Sequence, residues 1–325
     1  MTEKNYDVIG LGSALMDFLV KVDENKIVEL GLTKGNFHLK EKSVLDYLIE
    51  SGINFSSAPG GSAANTIKAI AHLGGKAILY GAIGNDELGK QFMKTASQIG
   101  VICRIKTKNS ATGHSIALIT PDAERTFSTH LGASVELSKD DLNEEDIANS
   151  KVLYLEGYQL EGPPKLAVLQ AITLAKNSGT KIAMDLSDPG VIARNKDLIK
   201  ELLRDIDIIF VNEKEAEAFT GFNNPDNSAI ELAKSVEIAV VKIGEKGSII
   251  CNRKNLIRID PCPAKAIDTT GAGDSYAAGF LYGYCKDWSL EKSGQLGSLL
   301  AAKVVEKFGA EVKDINVAEL FQLLP

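Results

Sequence analysis

Cysteine is scarce in this chain and unpatterned. The four residues, Cys103, Cys251, Cys262 and Cys285, show no C-x-x-C spacing, which excludes a disulfide frame or zinc site and predicts reduced structural thiols. Cationic excess is also missing, since 36 Lys and Arg against 43 Asp and Glu leave a formal charge of −7. Binding to nucleic acid or an anionic membrane calls for a basic face, so neither partner is expected. No apolar run approaches the length of a membrane-spanning helix. The opening residues, Met1-Thr2-Glu3-Lys4-Asn5-Tyr6-Asp7, carry no apolar core of a signal peptide, so a cytoplasmic location is expected. The chain contains no internal repeat, low-complexity tract or linker, and no G-x-x-x-x-G-K followed by Ser or Thr, which excludes a Walker-type NTPase. What remains is 325 residues, 44% hydrophobic and 24% charged. That is an ordinary soluble composition, long enough to bury a sizeable core as one large α/β domain or two smaller ones.

The most informative stretch is Asp268-Thr269-Thr270-Gly271-Ala272-Gly273-Asp274, running into Ser275-Tyr276-Ala277-Ala278-Gly279-Phe280. Two glycines around an alanine let the backbone turn sharply and present its amides, and the small apolar residues that follow predict a tightly packed helix. A Gly-rich turn opening a helix aims unpaired N–H groups and the positive dipole end at one point, an anion site. Asp274 then sits in the first turn beside that anion. A carboxylate there disfavours the anion unless it takes a proton from a nucleophile attacking it, the pattern of phosphoryl transfer to an alcohol. The plainer alternative is a helix start with an Asp placed to suit the dipole. It leaves Thr269-Thr270, the second glycine and Asp268 without a role.

In chain order, Val8-Ile9-Gly10-Leu11-Gly12 reads as a buried strand. Its G-x-G is weak evidence for a dinucleotide fold, because Leu15 stands where the third glycine belongs. Asp17, in the apolar run Leu15 to Val20, needs partners. A sugar diol is one, and a turn or salt bridge is the alternative. Gly35 to Lys40 is read as a short strand and Ser43 to Ser51 as a helix. Pro59-Gly60-Gly61-Ser62-Ala63-Ala64-Asn65-Thr66 leads into another helix. There Gly60 and Gly61 let backbone press against a ligand, Ser62 is placed to cap, and Asn65 suits hydroxyl recognition.

Between Val101 and Ser134, alternating segments predict a hairpin around Pro121-Asp122 and a small sheet serving as a lid. Arg125 is placed to reach a transferred phosphate from there, although a surface Arg is the commoner case. Beyond Ser138, the strands Val152–Leu155, Ile182–Asp185, Ile208–Val211 and Ile238–Ile243 alternate with helices and predict right-handed βαβ units with a parallel sheet. Ligands of such sheets bind beyond the strands' carboxyl ends, which points to Glu156-Gly157, Asp185 to Asp188, Asn212 to Glu215 and Gly244 to Gly247. Asn212 and Glu215 suit Mg²⁺, which takes oxygen ligands and keeps waters, though a helix cap plus a solvated acid accounts for the same pair. A helix from Leu290 to Phe308 with Leu296, Leu300, Val304 and Phe308 on one ridge is expected to end at Gly309.

Pro59 to Asn65 and Asp268 to Asp274 resemble the two signatures of the ribokinase (PfkB) family of carbohydrate and nucleoside kinases, and the resemblance covers essentially the whole chain. It implies an α/β fold: a three-layer sandwich with a mainly parallel central sheet, formed as one domain over residues 1–325. A small β-sheet lid would be inserted from about 13–40 and 101–130. By resemblance Asp274 is the catalytic base and the amides of Gly271, Ala272 and Gly273 the anion hole. Asp17, Gly61 and Asn65 would hold sugar hydroxyls. Asn212 and Glu215 would organise Mg²⁺ through water, Asp268 and the Thr270 backbone would meet a monovalent cation such as K⁺, and ATP would place its adenine near Gly244 and Gly247. The stretch Thr120 to Phe127 looks most like the adenosine-kinase-like branch, with Phe18, Phe37 or Phe127 available to stack a base.

These readings imply an ATP-dependent kinase acting on a primary hydroxyl of a nucleoside such as adenosine. A ribose- or fructose-type sugar kinase is the alternative, with a non-catalytic nucleotide or sugar sensor more remote. The protein would act as a monomer or as a homodimer through the lid. Because the proton moves late, an unshifted carboxylate of pKa about 3.9 would be adequate for the base at Asp274.

Overall fold

The computed structural model describes residues 4–40, 44–122, 124–312 and 314–324, and of Phe37 the backbone alone. Three sequence expectations therefore fall outside it: Ser43 as a helix start, Ala123 within the adenosine-kinase-like stretch, and the Phe37 side chain as a stacking group.

The described strands form two sheets. The large one contains β1 (Tyr6–Leu11), β5 (Ala77–Gly84), β6 (Ile102–Lys108), β9 (Ser150–Glu156), β10 (Lys181–Asp185), β11 (Ile208–Asn212), β12 (Ile238–Lys242), β13 (Ser248–Asn252) and β14 (Leu256–Ile259). Its order is β14-β13-β12-β11-β10-β9-β1-β5-β6. All pairings are parallel except β12 with β13 and β13 with β14, which are antiparallel and lie just before the glycine loop. The inner strands are rich in Val, Ile and Leu, as strands buried on both faces must be, whereas the edge strands β6 and β14 carry Arg or Lys. Along β9, Val152 and Tyr154 join one apolar cluster while Leu153 and Leu155 join another on the opposite face.

On one face lie α3 (Ser62–His72), α4 (Glu87–Gln98), α10 (Ala272–Cys285), α11 (Leu290–Val305) and α12 (Val317–Gln322). The other carries α5 (Glu144–Ala148), α6 (Lys165–Ser178), α7 (Pro189–Leu202), α8 (Glu213–Thr220) and α9 (Pro225–Leu232). This is the three-layer α/β sandwich. The small residues of α10 have a specific use: a Cβ at Gly279 would lie 2.7 Å from the Gly297 nitrogen, so α10 and α11 pack backbone to backbone.

The second sheet is the lid. It contains β2 (Leu15–Lys21), β3 (Phe37–Leu39), β4 (Phe55–Gly60), β7 (His114–Ile119) and β8 (Arg125–His130), in the order β3-β8-β7-β2-β4. Two short helices, α1 (Glu24–Glu29) and α2 (Leu45–Glu50), back it. The lid boundaries differ from expectation in two places. β6 pairs with β5 and extends the main sheet, so the lid does not begin at residue 101. β4, read in the sequence as the approach to a glycine loop, is a lid strand paired antiparallel with β2. Its Phe-Ser-Ser-Ala-Pro-Gly sequence carries no strand signal. A proline is tolerated there because β4 is an edge strand. The long helix α11 also stops at Val305, and Phe308 is exposed instead of extending the buried ridge of Leu296, Leu300 and Val304.

Candidate active site

Two glycine turns open two helices that meet over the C-terminal edge of the main sheet. Gly271, with φ 75°, precedes α10, and Gly61, with φ 96°, precedes α3. Neither position tolerates a side chain. A Cβ at Gly271 would lie 2.3 Å from Ala310 Cβ, and one at Gly61 would lie 2.0 Å from the Ser13 carbonyl oxygen. The amide of Ala272 donates back to Thr269 O (3.2 Å), whereas those of Gly271 and Gly273 have no partner among the described residues. They remain available to an anion at the helix start.

Asp274 stands in the first turn of α10, where Ser62 Oγ donates to its Oδ1 (2.7 Å) and Asn65 Nδ2 donates to its Oδ2 (3.0 Å). The sequence placed Ser62 as a helix cap; its hydroxyl is turned to Asp274 instead, and Gly61 occupies the N-cap position. Asn65 is 7% exposed and its Oδ1 is buried without a partner, an acceptor left for a ligand hydroxyl.

The Asp274 carboxyl does not keep its ordinary pKa. By surface the residue is half-buried, yet protein surrounds the carboxyl closely. Burial pushes it up to about 6, and the Asp185 charge adds to that, while the bonds from Asn65 and Ser62 and the Lys242 charge oppose. Asp17, half-buried on β2, is pushed up to about 7, first by burial and then by the charges of Asp274, Asp268 and Glu311, with Lys68 opposing. A Cβ at Gly60 would lie 2.0 Å from its Oδ2, so Gly60 is what makes room for this carboxylate. Asp17, Gly61, Asn65 and Asp274 are thus gathered in one place.

Asp268 is 1% exposed. Its Oδ1 accepts the Thr270 N–H (2.7 Å) and the Arg125 guanidinium (2.5 Å), and its Oδ2 accepts the Gly309 N–H (2.8 Å). Burial works to raise its pKa, but the amides of Gly309 and Thr270 and the Arg125 charge prevail and hold it below the ordinary value. Arg125 also donates to Thr270 Oγ1 (3.1 Å). In this structure the lid arginine is therefore docked on Asp268 and Thr270, behind the anion turn. Gly309, expected to end a helix, serves instead to close Asp268 in.

The ends of the parallel strands supply the rest. Asn212 and Glu215 form a reciprocal cap of α8. The Glu215 amide donates to Asn212 Oδ1 (2.9 Å), and the Glu215 carboxylate accepts from the Asn212 backbone (2.8 Å) and side chain (2.5 Å). Glu215 is 3% exposed, and burial together with the Asp185 charge raises its pKa. Among the described residues, no group of three or more His, Cys, Asp or Glu is arranged to hold a metal directly. Two acids balanced by one amine, Lys242, do suit a hydrated divalent cation, which keeps most of its waters. Gly244, with φ 58°, faces open space, whereas a Cβ at Gly247 would lie 2.0 Å from Ile259 O, so Gly247 answers to the β13–β14 hairpin.

Sequence reading missed Lys242, and it placed Glu156 and Asp185 at the ligand edge of the sheet without giving either a partner. Lys242, the last residue of β12, donates to Asp185 Oδ2 (2.6 Å). Glu156, at the end of β9 and 1% exposed, accepts the amides of Ser13 (2.8 Å) and Ala63 (2.6 Å) and so ties β1 to the start of α3. Burial pushes its carboxyl up to about 7. The available signal was a charged residue closing an apolar strand at the ligand edge of the sheet, present at Glu156, Asp185 and Lys242 alike.

An amide-lined anion turn, a carboxylate beside it, and a polyol-sized set of polar groups under a lid define a phosphotransferase acting on an alcohol. The chain belongs to the pfkB family of carbohydrate kinases, whose family model matches residues 24–315. It is 31% identical over 271 residues to a ribokinase of Haemophilus influenzae, covering 80% of this chain and 85% of that protein. Among solved structures it is similar to the adenosine kinase from Sinorhizobium meliloti, with 34% identity and a TM-score of 0.89 over 98% of both chains. It is equally similar to a probable sugar kinase from Rhizobium etli CFN 42, with 32% identity and a TM-score of 0.90 over 98% of both chains. Kinases of this family use ATP and act on sugar or nucleoside hydroxyls. No helix among the described residues is long and apolar enough to cross a membrane.

Proposed function

We propose that the protein is an ATP-dependent kinase for the primary hydroxyl of a purine nucleoside such as adenosine. The observation that carries the nucleoside reading is the face that the lid turns to the cleft. Side chains alternate along a strand, so Arg125, Phe127 and Thr129 share one face of β8, and Arg125 of that face reaches Asp268. The cross-strand partners of these three residues are Ile119, Ala117 and Ser115 on β7, and Ala117 and Ser115 lie opposite Leu19 and Asp17 on β2. Asp17, Ser115 and Thr129 make a polar patch suited to ribose. Leu19, Ala117 and Phe127, two residues or about 7 Å along, make an apolar patch suited to a base. A free sugar leaves that second patch without a partner. The likeness to the adenosine kinase of Sinorhizobium meliloti agrees with this reading.

In the reaction, Asp17, the Gly61 turn and Asn65 hold the sugar hydroxyls, and Ser62 and Asn65 keep Asp274 aimed at the acceptor oxygen. The acceptor O–H proton passes to Asp274 as the new O–P bond forms and the bond to the nucleotide's bridging oxygen breaks, releasing ADP. The transition state is loose, so most of the acceleration comes from positioning and charge stabilisation, to which the free amides of Gly271 and Gly273 contribute. Mg²⁺ would be held through water by Glu215 and Asn212 and would neutralise charge on the nucleotide phosphates. The open space over Gly244 suits the adenine. Both oxygens of Asp268 are engaged by Arg125 and two amides, so a K⁺ ion does not fit there as the site stands, and no step is assigned to one.

A sugar kinase is the second reading, favoured by the likeness to the Haemophilus influenzae ribokinase and the probable sugar kinase. An ADP-release panel of adenosine, inosine, guanosine, ribose and fructose with Mg²⁺, with and without K⁺, separates the two. Adenosine is expected to turn over best, and turnover confined to free sugars would overturn the nucleoside reading.

A further inference from the structure

Lys242 is a largely buried cation that three acids attract, yet its ammonium lies against a helix N-terminus, a contact those acids do not explain. Its side chain is 14% exposed, and its ammonium donates to Asp185 Oδ2 at 2.6 Å. Burial works against its charge, but the charges of Asp185, Glu215 and Asp274 outweigh burial and keep it protonated. On its other side, a Cβ built on Gly273 would lie 3.1 Å from Nζ, so the ammonium rests against the first turn of α10. That turn is the positive end of a helix dipole, where a cation is unfavourable. An ammonium carries three donors, and Asp185 takes one. A helix start and an ammonium, both positive and both with donors to spare, become mutually favourable once an anion lies between them. Glycine at 273 leaves the amine uncovered on that side.

We propose that Lys242 is a catalytic residue whose ammonium contacts the γ-phosphoryl group and follows it to the acceptor, with Asp185 holding the amine in place. This rests on the kinase reading above. It adds to the amides of the glycine turn a full positive charge that tracks the phosphoryl group, and it gives Asp185 a positioning role. The competing account is that Lys242 merely neutralises Asp185 and Glu215.

The test uses Lys242→Met, Lys242→Arg and the double variant Lys242→Met/Asp185→Asn, in which the acid that Lys242 would neutralise is itself neutral. Lys242→Met is expected to lower kcat by about 10²–10³, the usual cost of one transition-state donor, with the acceptor KM within about threefold of wild type. Lys242→Arg should recover part of the loss. Dissociation constants for a non-hydrolysable ATP analogue and for ADP, measured calorimetrically with Mg²⁺, give a readout independent of turnover. The wild type is expected to prefer the analogue by about tenfold or more, and Lys242→Met to bring that ratio near one. The double variant should regain thermal stability while staying slow. Recovery of its kcat to near the wild-type value, or an unchanged analogue-to-ADP ratio in Lys242→Met, would overturn the proposal. If the wild type phosphorylates neither nucleosides nor sugars, the functional reading fails, while the binding ratio still decides the role of Lys242.

Discussion

Replacing Ser62 by Ala removes one of the two side-chain donors to Asp274, the 2.7 Å bond to Oδ1, and leaves Asn65 on Oδ2. A hydrogen bond to an ionised group contributes about 1.5–3 kcal/mol. At 1.36 kcal/mol per pKa unit, that is a ceiling of about one to two units. The residue is half-buried, and a water can take the vacated place, so about half that shift is expected. The sign follows from which form the bond favours. Ser62 stabilises the carboxylate and lowers a pKa that burial has raised to about 6, so losing it moves the pKa upward, to about 7. A general base works when ionised, so activity falls as pH drops through this value, and the acid limb of kcat/KM should move to higher pH. Near pH 6.5 the variant should be about threefold slower than wild type, and above about pH 8 nearly equal to it. Protonation of the nucleotide phosphates affects both proteins alike, so the difference between the profiles isolates Asp274. A parallel loss at every pH, as Asp274→Asn should give at about 10²–10⁴-fold, or an unshifted limb, would refute the reasoning.

Two further substitutions test the other carboxylates. Asp17, raised to about 7 by burial, weighs on stability above that pH, and the cost is relieved as pH falls toward the unfolded value near 4. Discounted for its partial exposure, Asp17→Asn should stabilise by on the order of 1–2 kcal/mol. Thermal melts should show a gain at pH 8 that shrinks at pH 5, alongside lost activity; an equal gain at both would remove the charge explanation. Asp268 runs the other way, since its lowered pKa supplies stability that is lost as pH falls below about 4. Arg125→Met should cost about 1–3 kcal/mol, less than a fully stripped buried charge, because the amides of Thr270 and Gly309 remain. It should also speed proteolysis of the Thr120–Arg125 turn, and unchanged melting and cleavage would show that the lid is not tied down there.

The fold was largely legible because its strands are apolar runs ending in polar residues, and its two helix-opening turns carry glycines that backbone geometry requires. That Asp274 and Asn65 lie just inside glycine-opened helices was legible from the two glycine stretches, while the grouping of Asp17 with Gly61 and Asn65 came from the family resemblance. β4 was not legible, because an edge strand pairs through its backbone and needs no β-branched side chains. Ser62 was misread as a cap because a hydroxyl at a helix start has two uses, and only the approach of α10 decides between them. Lys242, and the partners of Asp185 and Glu156, were hidden by distance along the chain. The Lys242–Asp185 pair spans 57 positions and the Glu156–Ala63 bond 93. No local pattern encodes such pairings.

The glycine turns at 61 and 271 do more than open two helices. Asn65 and Ser62 on α3 grip the carboxylate of Asp274 on α10, so the group proposed to recognise hydroxyls and the turn proposed to recognise an anion are joined through the proposed base itself. Proton abstraction and phosphoryl capture must occur at one oxygen, and a base shared by both helices keeps the two half-sites in register to within hydrogen-bond tolerance. The arrangement concentrates Asp17, Asp274, Glu156 and Glu215, all with raised pKa values, into one region, which is unfavourable for the empty protein. Lys242 relieves only part of that. A Mg²⁺ ion held through water beside Glu215 would offset part of that excess negative charge, even though the nucleotide it accompanies is itself an anion. Ligand binding and the stability of this half of the molecule are therefore coupled, so nucleotide with Mg²⁺ should protect the wild type against heat more than nucleotide alone.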